Sequence, residues 1–504
     1  MSLAGIRDAI KTALAGVSGI DAAYDNAPEG GVTLPAAIVL PLRGRYHETF
    51  DGAMGHDLEV VFLLAEVPGF SPAAQEAMDP FLAESDGVVT PISASSVVDP
   101  ANGFATTDMP IQRRSFYTQG LFWVFYYSGI GGGINYKTSA DGITWNAATE
   151  IYTGGANSNR WTLFFDGANV HWTYLVGTAD GLGYYRRGAP QSDGTITWAA
   201  AVQTAITPAV GGALFYPTIT VDSNGCPWIG YIELNGATYS PKITMSTATD
   251  GTWATRSGFP YSVATGSSST WAVIAVPQLA GRVFCLYGIG GVTLKGQPWT
   301  GAAWAAEEIV SADNLASCER YTAIGDGDKI VVAMQQAVTA NLKHYERSSA
   351  GVWSTVATIQ ASAVTFSLPT LTFCAANFYI CFWQDSPTAN HIYYKAYRHS
   401  TWSSIVDLVD DSVAGIEANN RPEVSYAAGN NRVIISWLSG AGPYVLKVAG
   451  LVLDLTDSIM AAIERASLGS HGDAIQVMGY RDYGLLEWER KTYVGVKFDV
   501  TVWT

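Results

Sequence analysis

The sequence predicts a split fold. A discontinuous α+β domain, with a mixed or antiparallel sheet and flanking helices, is expected from residues 1–86 and 457–504. An all-β seven-bladed propeller is expected between them, over residues 87–456. Three observations predict this. A tryptophan recurs at Trp145, Trp198, Trp253, Trp304, Trp353 and Trp402, roughly every 50 residues, which is the period of a propeller blade. The rhythm stops well short of both ends. Finally, 52 glycines, 12% aromatic and only 14% charged residues suit short, tightly turned strands.

The first end reads as helix, strands and helix. Leu3, Ile6, Ile10 and Leu14 sit at helical spacing behind Ser2 as N-cap. Residues 36–42 form an apolar strand, and Leu58, Val60, Phe62 and Leu64 alternate as a longer one. Ser71 and Pro72 cap a helix through Ala73, Met78, Phe81 and Leu82, with Pro in its allowed first turn.

In the middle, each tryptophan opens an apolar stretch just after a turn. Before it lies a strand such as 134–137 or 392–395. Upstream of that lies a more apolar strand, at 121–127, 170–175, 227–232, 283–287, 330–334, 378–383 and 433–437. A third strand precedes each hairpin, for example 218–221 and 370–373, which makes four strands per unit. Seven apolar copies predict seven blades; six blades and a stray hairpin is the alternative. The seventh copy lacks its tryptophan, and its outer strand is either 451–455 or a ring-closing strand within 88–98. The periodic tryptophans read as packing between blades ahead of stacking on a ligand.

The turn Ser139-Ala140-Asp141-Gly142-Ile143-Thr144-Trp145 resembles the Asp-box of sialidase-like propellers, one residue short of its spacing. Residues 192–198 and 249–253 are looser copies. In that family the box is a folding element of the outer rim, so the resemblance implies architecture and no chemistry.

The second end returns to the first pattern. Thr456 or Asp457 caps a helix through Ile459, Ala462 and Ile463, a strand begins at Ile475, and Val494, Val496, Phe498, Val500 and Val502 alternate in the last strand. Removal of the middle leaves segments whose order resembles the tail terminator proteins of long-tailed phages with flexible tails. The residues that carry the likeness are the strand at 34–39, the hairpin around Tyr46-His47-Glu48-Thr49-Phe50, the helices at 73–83 and 458–464, and the strands Val477-Met478-Gly479-Tyr480-Arg481-Asp482-Tyr483-Gly484 and Tyr493-Val494-Gly495-Val496-Lys497-Phe498-Asp499-Val500.

That resemblance implies a virion structural protein at the head–tail junction, made in the host cytoplasm. It implies a homohexameric ring that caps the tail tube, ends its polymerisation and joins it to a head connector or stopper protein. Its partners would be further copies of itself, the major tail tube protein and the connector, and no cofactor is implied. DNA would pass through the lumen without specific binding, which the formal charge of −16 and the acidic excess in both end segments favour. The cluster Arg43, Arg45, Tyr46 and Glu48 is expected at a subunit or tube contact, with a solvated hairpin tip as the alternative.

For the propeller the sequence offers decoration or adhesion to a host-surface glycan. Arg114, Arg160, Arg320 and Arg421 fall at or near the starts of inner strands, where several guanidinium groups would hold an anion or an acidic sugar at a channel mouth. No nucleophile–acid pair is identifiable, so binding is favoured over hydrolysis. The alternative reading of the whole chain is a carbohydrate-binding or sialidase-like propeller protein on an attachment base. Asp326-Gly327-Asp328 reads as a plain hairpin turn, and five cysteines without a Cys-x-x-Cys read as buried thiols. No apolar run is long enough to span a membrane, so no insertion is expected.

Overall fold

The computed structural model describes residues 10–12, 22–24, 36–48, 54–66, 90–91, 96–102, 109, 111–128, 133–154, 160–176, 181–264, 266, 271–289, 292–317, 320–361, 368–375, 377–384, 391–398, 400–411, 422–429, 432–440, 444–452, 475–488 and 491–503. They belong to two compact units, Met1–Thr90 with Val452–Thr504, and Pro91–Leu451.

The first unit is a five-stranded sheet in the order Ala22–Tyr24, Ala36–Glu48, Met54–Glu66, Lys491–Trp503, Ile475–Trp488. Its first pair is parallel and the rest are antiparallel. The two ends of the chain meet at its centre, where Leu58, Val60 and Phe62 face Val500, Phe498 and Val496. Matching period-two alternation in both strands sets this register, because a slip of one residue would turn every apolar side chain to the other face.

The predicted α+β class is thereby corrected. Among the described residues the chain is almost entirely strand, with a single helical turn at 10–12, where Ile10 is buried. The physical reason lies in strands of 13 or 14 residues. Their alternation persists well beyond the runs first recognised and commits the backbone to ladder pairing. The helices expected over 73–83 and 457–464 lie outside the described residues.

The second unit contains seven sheets of four or five strands, which corrects the six-bladed alternative. Their inner strands are Ser115–Thr118, Trp161–Phe165, Ala213–Val221, Trp271–Pro277, Tyr321–Asp326, Thr370–Ala375 and Glu423–Val424, numbered here as blades 1 to 7. Blade 7 ends in strands from the other side of the unit. Thr90–Pro91 and Ser96–Asn102 both pair with Tyr444–Val452. Of the two outer strands open for this blade, the N-terminal one is therefore used, and ladder hydrogen bonds fasten the ring.

Each periodic tryptophan packs against the blade before its own. Trp145 joins the cluster of blades 7 and 1, Trp198 that of 1 and 2, and Trp253 that of 2 and 3. Trp304, Trp353 and Trp402 repeat the arrangement around the ring. Partners across the seam include Tyr185 for Trp253 (centroids 5.1 Å apart), Tyr261 for Trp304 (4.8 Å) and Phe284 for Trp353 (5.6 Å). Packing such a large, half-buried ring at each of these six seams adds cohesion between sheets that share no ladder.

The Asp-box-like turns join the same seams. Asp141 Oδ1 accepts hydrogen bonds from Ser139 Oγ and from the N–H groups of Ile143 and Thr144, which hold its carboxyl well below the usual range. Asp193 and Asp250 cap their turns in the same way, each accepting from the N–H and hydroxyl of the threonine two residues on. The preceding blade then reaches over: Ser96 donates to the Gly142 carbonyl, Tyr136 to that of Gly194, and Arg187 to that of Thr249.

Candidate functional site

The inner strands surround a channel, and the segment before blade 1 blocks it where those strands begin. Met109 and Ile111 are buried in the core of blades 4 and 5. Gln112 Nε2 donates to the Pro217 carbonyl of blade 3 at 3.0 Å. The backbone of Arg113 exchanges hydrogen bonds with Thr162 Oγ1 of blade 2 and accepts one from the Leu163 N–H. Its side chain crosses the channel: Nη1 donates to Thr370 Oγ1 of blade 6 (2.8 Å) and to the Val424 carbonyl of blade 7 (3.2 Å), and Nη2 to Thr322 Oγ1 of blade 5 (3.3 Å). Threonines near the starts of the inner strands therefore hold the plug. Burial pulls the Arg113 guanidinium down to about 10, with the nearby Tyr426 and Glu423 opposing this, so it stays charged at neutral pH.

Arg114 completes the plug. It lies in ion-pair contact with Glu423 of blade 7 at 3.3 Å, both side chains 1% exposed. It also donates to Gln112 Oε1 at 2.8 Å and stacks on the Trp161 ring with Cζ 4.3 Å from the centroid.

At the opposite end, where inner strands turn into their hairpins, the channel opens into a cavity of about 610 Å³. Arg113 contributes to its wall. Tyr117, Phe165, Gln278, Leu279 and Tyr426 add aromatic, amide and aliphatic surface, and hairpin residues such as Gln119, Ser223 and Gly327 form its mouth. The volume falls within the range of about 300–1,000 Å³ usual for small-molecule sites. Tyr426 spans the channel, accepting the Gly325 N–H of blade 5 through its hydroxyl at 3.0 Å and meeting Phe164 of blade 2 edge-on. Gly325 has no room for a side chain, because a Cβ there would come within 2.5 Å of the Pro277 carbonyl oxygen.

Two carboxylates belong to the wall, and both are taken up by their own hairpins. Asp166 accepts from the N–H groups of Ala168 and Asn169 and pairs with His171 Nε2 at 2.8 Å; burial raises its carboxyl, but these partners outweigh it and hold it at about 2. His171 in turn meets the Tyr185 hydroxyl at 2.8 Å, and burial lowers its imidazole below the ordinary value. Asp222 accepts from the N–H groups of Asn224 and Cys226 and from Trp228 Nε1. Such an arrangement can orient and stack a polar ring. The acid–base work of hydrolysis would instead need carboxylates free to exchange protons near neutral pH.

Of the arginines singled out in the sequence, the three described ones, Arg114, Arg160 and Arg320, have different partners. Arg114 sits in the plug. Arg160 donates to the Leu214 carbonyl at 2.6 Å and stacks on Phe215, which ties blade 2 to blade 3. Arg320 is half-buried and donates to Gln335 Oε1 at 2.9 Å within its own blade. Arg421 lies outside the described residues. Arg43, Arg45, Tyr46 and Glu48 lie on the strand Ala36–Glu48, beside the register shift between Pro41 and Tyr46. Asp326 and Asp328 join blades: Asp326 accepts from the Asn377 N–H and the Tyr379 hydroxyl, and Asp328 pairs with Arg282 at 2.6 Å.

Sequence reasoning passed over Arg113, Tyr426 and Gln278. For Gln278 and Tyr426 the available signal was their place between an inner strand and its hairpin turn, since all inner strands bring those residues to one end of the channel; Arg113, ahead of its inner strand, carried no such signal.

No protein-family model matches this chain, and no curated protein matches it. Solved structures resemble it at low identity. A polysaccharide lyase described as an ulvan lyase bound to -[GlcA(1-4)Rha3S]- is 10% identical over 73% of this chain and 99% of its own, with a TM-score of 0.47. An α-L-arabinanase of Penicillium chrysogenum in complex with arabinobiose is 12% identical over 73% and 99%, at 0.39. The Aleuria aurantia lectin with α-methyl-L-fucoside is 12% identical over 70% and 98%, at 0.40. These propellers act on or bind carbohydrate, and likeness at this level assigns neither property to this chain.

Proposed function

We propose that this protein is a carbohydrate-binding propeller whose ligand enters the channel from the hairpin end. One observation carries the reading: a cavity of about 610 Å³ combines aromatic faces with amide and hydroxyl groups, while its two aspartates are held by their own turns. Aromatic surface stacks on the apolar face of a sugar, and fixed donors and acceptors select its hydroxyls. Binding is favoured over turnover because Asp166 and Asp222, the carboxylates of the wall, are engaged by their own hairpins.

The test is a glycan array probed with the full chain, beside a variant whose cavity mouth is filled by Ser223→Trp. Wild-type binding that the variant loses supports the reading. A blank array, or binding that the filled mouth leaves unchanged, refutes it.

A second reading concerns the unit built from both chain ends. The pairing of Met54–Glu66 with Lys491–Trp503 favours one continuous sheet interrupted by the propeller. In this reading the sheet serves as a ring-forming base in a phage tail, self-associating as a hexamer and meeting the tail tube and the head connector, with the propeller outward. Electron microscopy that finds only monomers, in isolation and with tail tubes, would remove it.

A further inference from the structure

Arg113 carries more hydrogen-bonding capacity than its neighbours use. Arg113 is 5% exposed, and it forms part of the cavity wall. A guanidinium has five N–H groups. Two on Nη1 and one on Nη2 go to Thr370, Val424 and Thr322. The Nε–H and the second N–H of Nη2 have no acceptor among the described residues. Nε and Nη2 lie side by side on one edge of the guanidinium plane, the spacing that grips both oxygens of a carboxylate.

The charge balance points the same way. Arg114 lies against the Glu423 carboxylate at 3.3 Å, whereas the acceptors of the Arg113 side chain among the described residues, Thr370, Thr322 and the Val424 carbonyl, are all neutral. Asp166 and Asp222 bring negative charge to the wall, but their oxygens are bound by hairpin N–H groups, His171 and Trp228. The hydroxyls of a neutral sugar can accept these N–H bonds, but a carboxylate adds opposite charge and the two-oxygen geometry that fits the guanidinium edge, and its bonds are the stronger.

We infer that the cavity takes an acidic sugar, whose carboxylate is held by the Nε–Nη2 edge of Arg113 while its ring lies against the aromatic wall. This rests on the carbohydrate-binding reading above and adds the ligand's charge class to it.

The experiment is titration calorimetry on the full chain. Oligosaccharides of glucuronate, galacturonate and mannuronate are compared with their carboxyl-reduced counterparts and with a sulfated neutral oligosaccharide. At least one acidic member is expected to bind tenfold or more tightly than its reduced partner, and to weaken as salt rises. Arg113→Met should abolish that discrimination, and Arg113→Lys should keep only part of it. Arg113 also joins blades, so both variants are first checked for native circular dichroism; the paired comparison on the wild-type chain needs no variant.

Equal affinity within every pair overturns the inference, and so does tighter binding of the sulfated sugar. Neutral array glycans that bind where no uronate does overturn it too, while leaving the carbohydrate-binding reading in place. Failure of every glycan on the array and in the panel overturns both.

Discussion

Replacement of Glu423 by Gln should loosen the ring where its last blade meets its first. Glu423 begins the inner strand of blade 7, and Arg114 immediately precedes that of blade 1. At 3.3 Å the ion pair is worth about 5 kcal/mol at an effective dielectric of about 20. Glutamine keeps the shape and a neutral contact, which restores about 1–2 kcal/mol. A net loss of about 3 kcal/mol remains, as for other buried pairs broken on one side. For a unit the size of Pro91–Leu451 that lowers the calorimetric midpoint by roughly 4 °C. Hydrogen exchange should quicken first along Arg432–Ser439 and Leu121–Tyr127, the second strands of these two blades. The double variant Arg114→Met with Glu423→Met should recover part of the loss, because the Arg114 charge is then no longer left buried without its partner. A midpoint within about 1 °C of wild type for Glu423→Gln, or a double variant less stable than either single one, would refute the reasoning.

Three further outcomes are expected. Tyr426→Phe strips the Gly325 N–H of its acceptor across the channel and should cost about 1–2 kcal/mol in denaturant unfolding; no change would mean that water replaces the hydroxyl. Burial holds the imidazoles of both His171 and His344 below their ordinary value, against the raising influence of Asp166 and Glu346. The unfolded chain therefore binds protons first as pH drops below about 6.5, so the stability of the neutral form is complete above that pH and declines beneath it. Melting at pH 5 and pH 7.5 should show this decline, and His344→Phe should narrow the gap; a gap of unchanged size removes His344 from the account. Trp353→Ala removes an aromatic contact with Phe284 and the Nε1 bond to Glu308 (2.8 Å), so about 2–3 kcal/mol should be lost from the seam of blades 4 and 5, measured as a lower urea midpoint with the same slope.

The seven-bladed ring was readable because its causes are local and repeated. A buried strand needs a continuous apolar run, a hairpin needs its glycine or Asx turn, and a seam needs a large ring at a constant offset. All three recur in one order from Leu121 to Trp402. The α+β class was misjudged because helical spacing was read into the end segments, while the alternation visible at 58–64 and 494–502 continues through strands of 13 residues. The arginines were legible as a set, yet the chain uses Arg160 to join two blades and Arg320 within one.

Only the tertiary structure distinguished Arg113 from Arg114. They are adjacent in sequence and equal in charge, but alternation along the extended backbone sends them to opposite sides. One turns onto Trp161 and Glu423, the other into the channel against Thr322, Thr370 and Val424. Which end of the channel stays open was likewise beyond the sequence, because it depends on where Met109–Arg114 lies after seven sheets have closed around it. By itself the sequence determined the period, the strands and the seams, since each answers to neighbours a few residues away. The cavity and its charge depend on residues hundreds of positions apart, such as Arg113 and Val424, and such proximity exists only once the ring has formed.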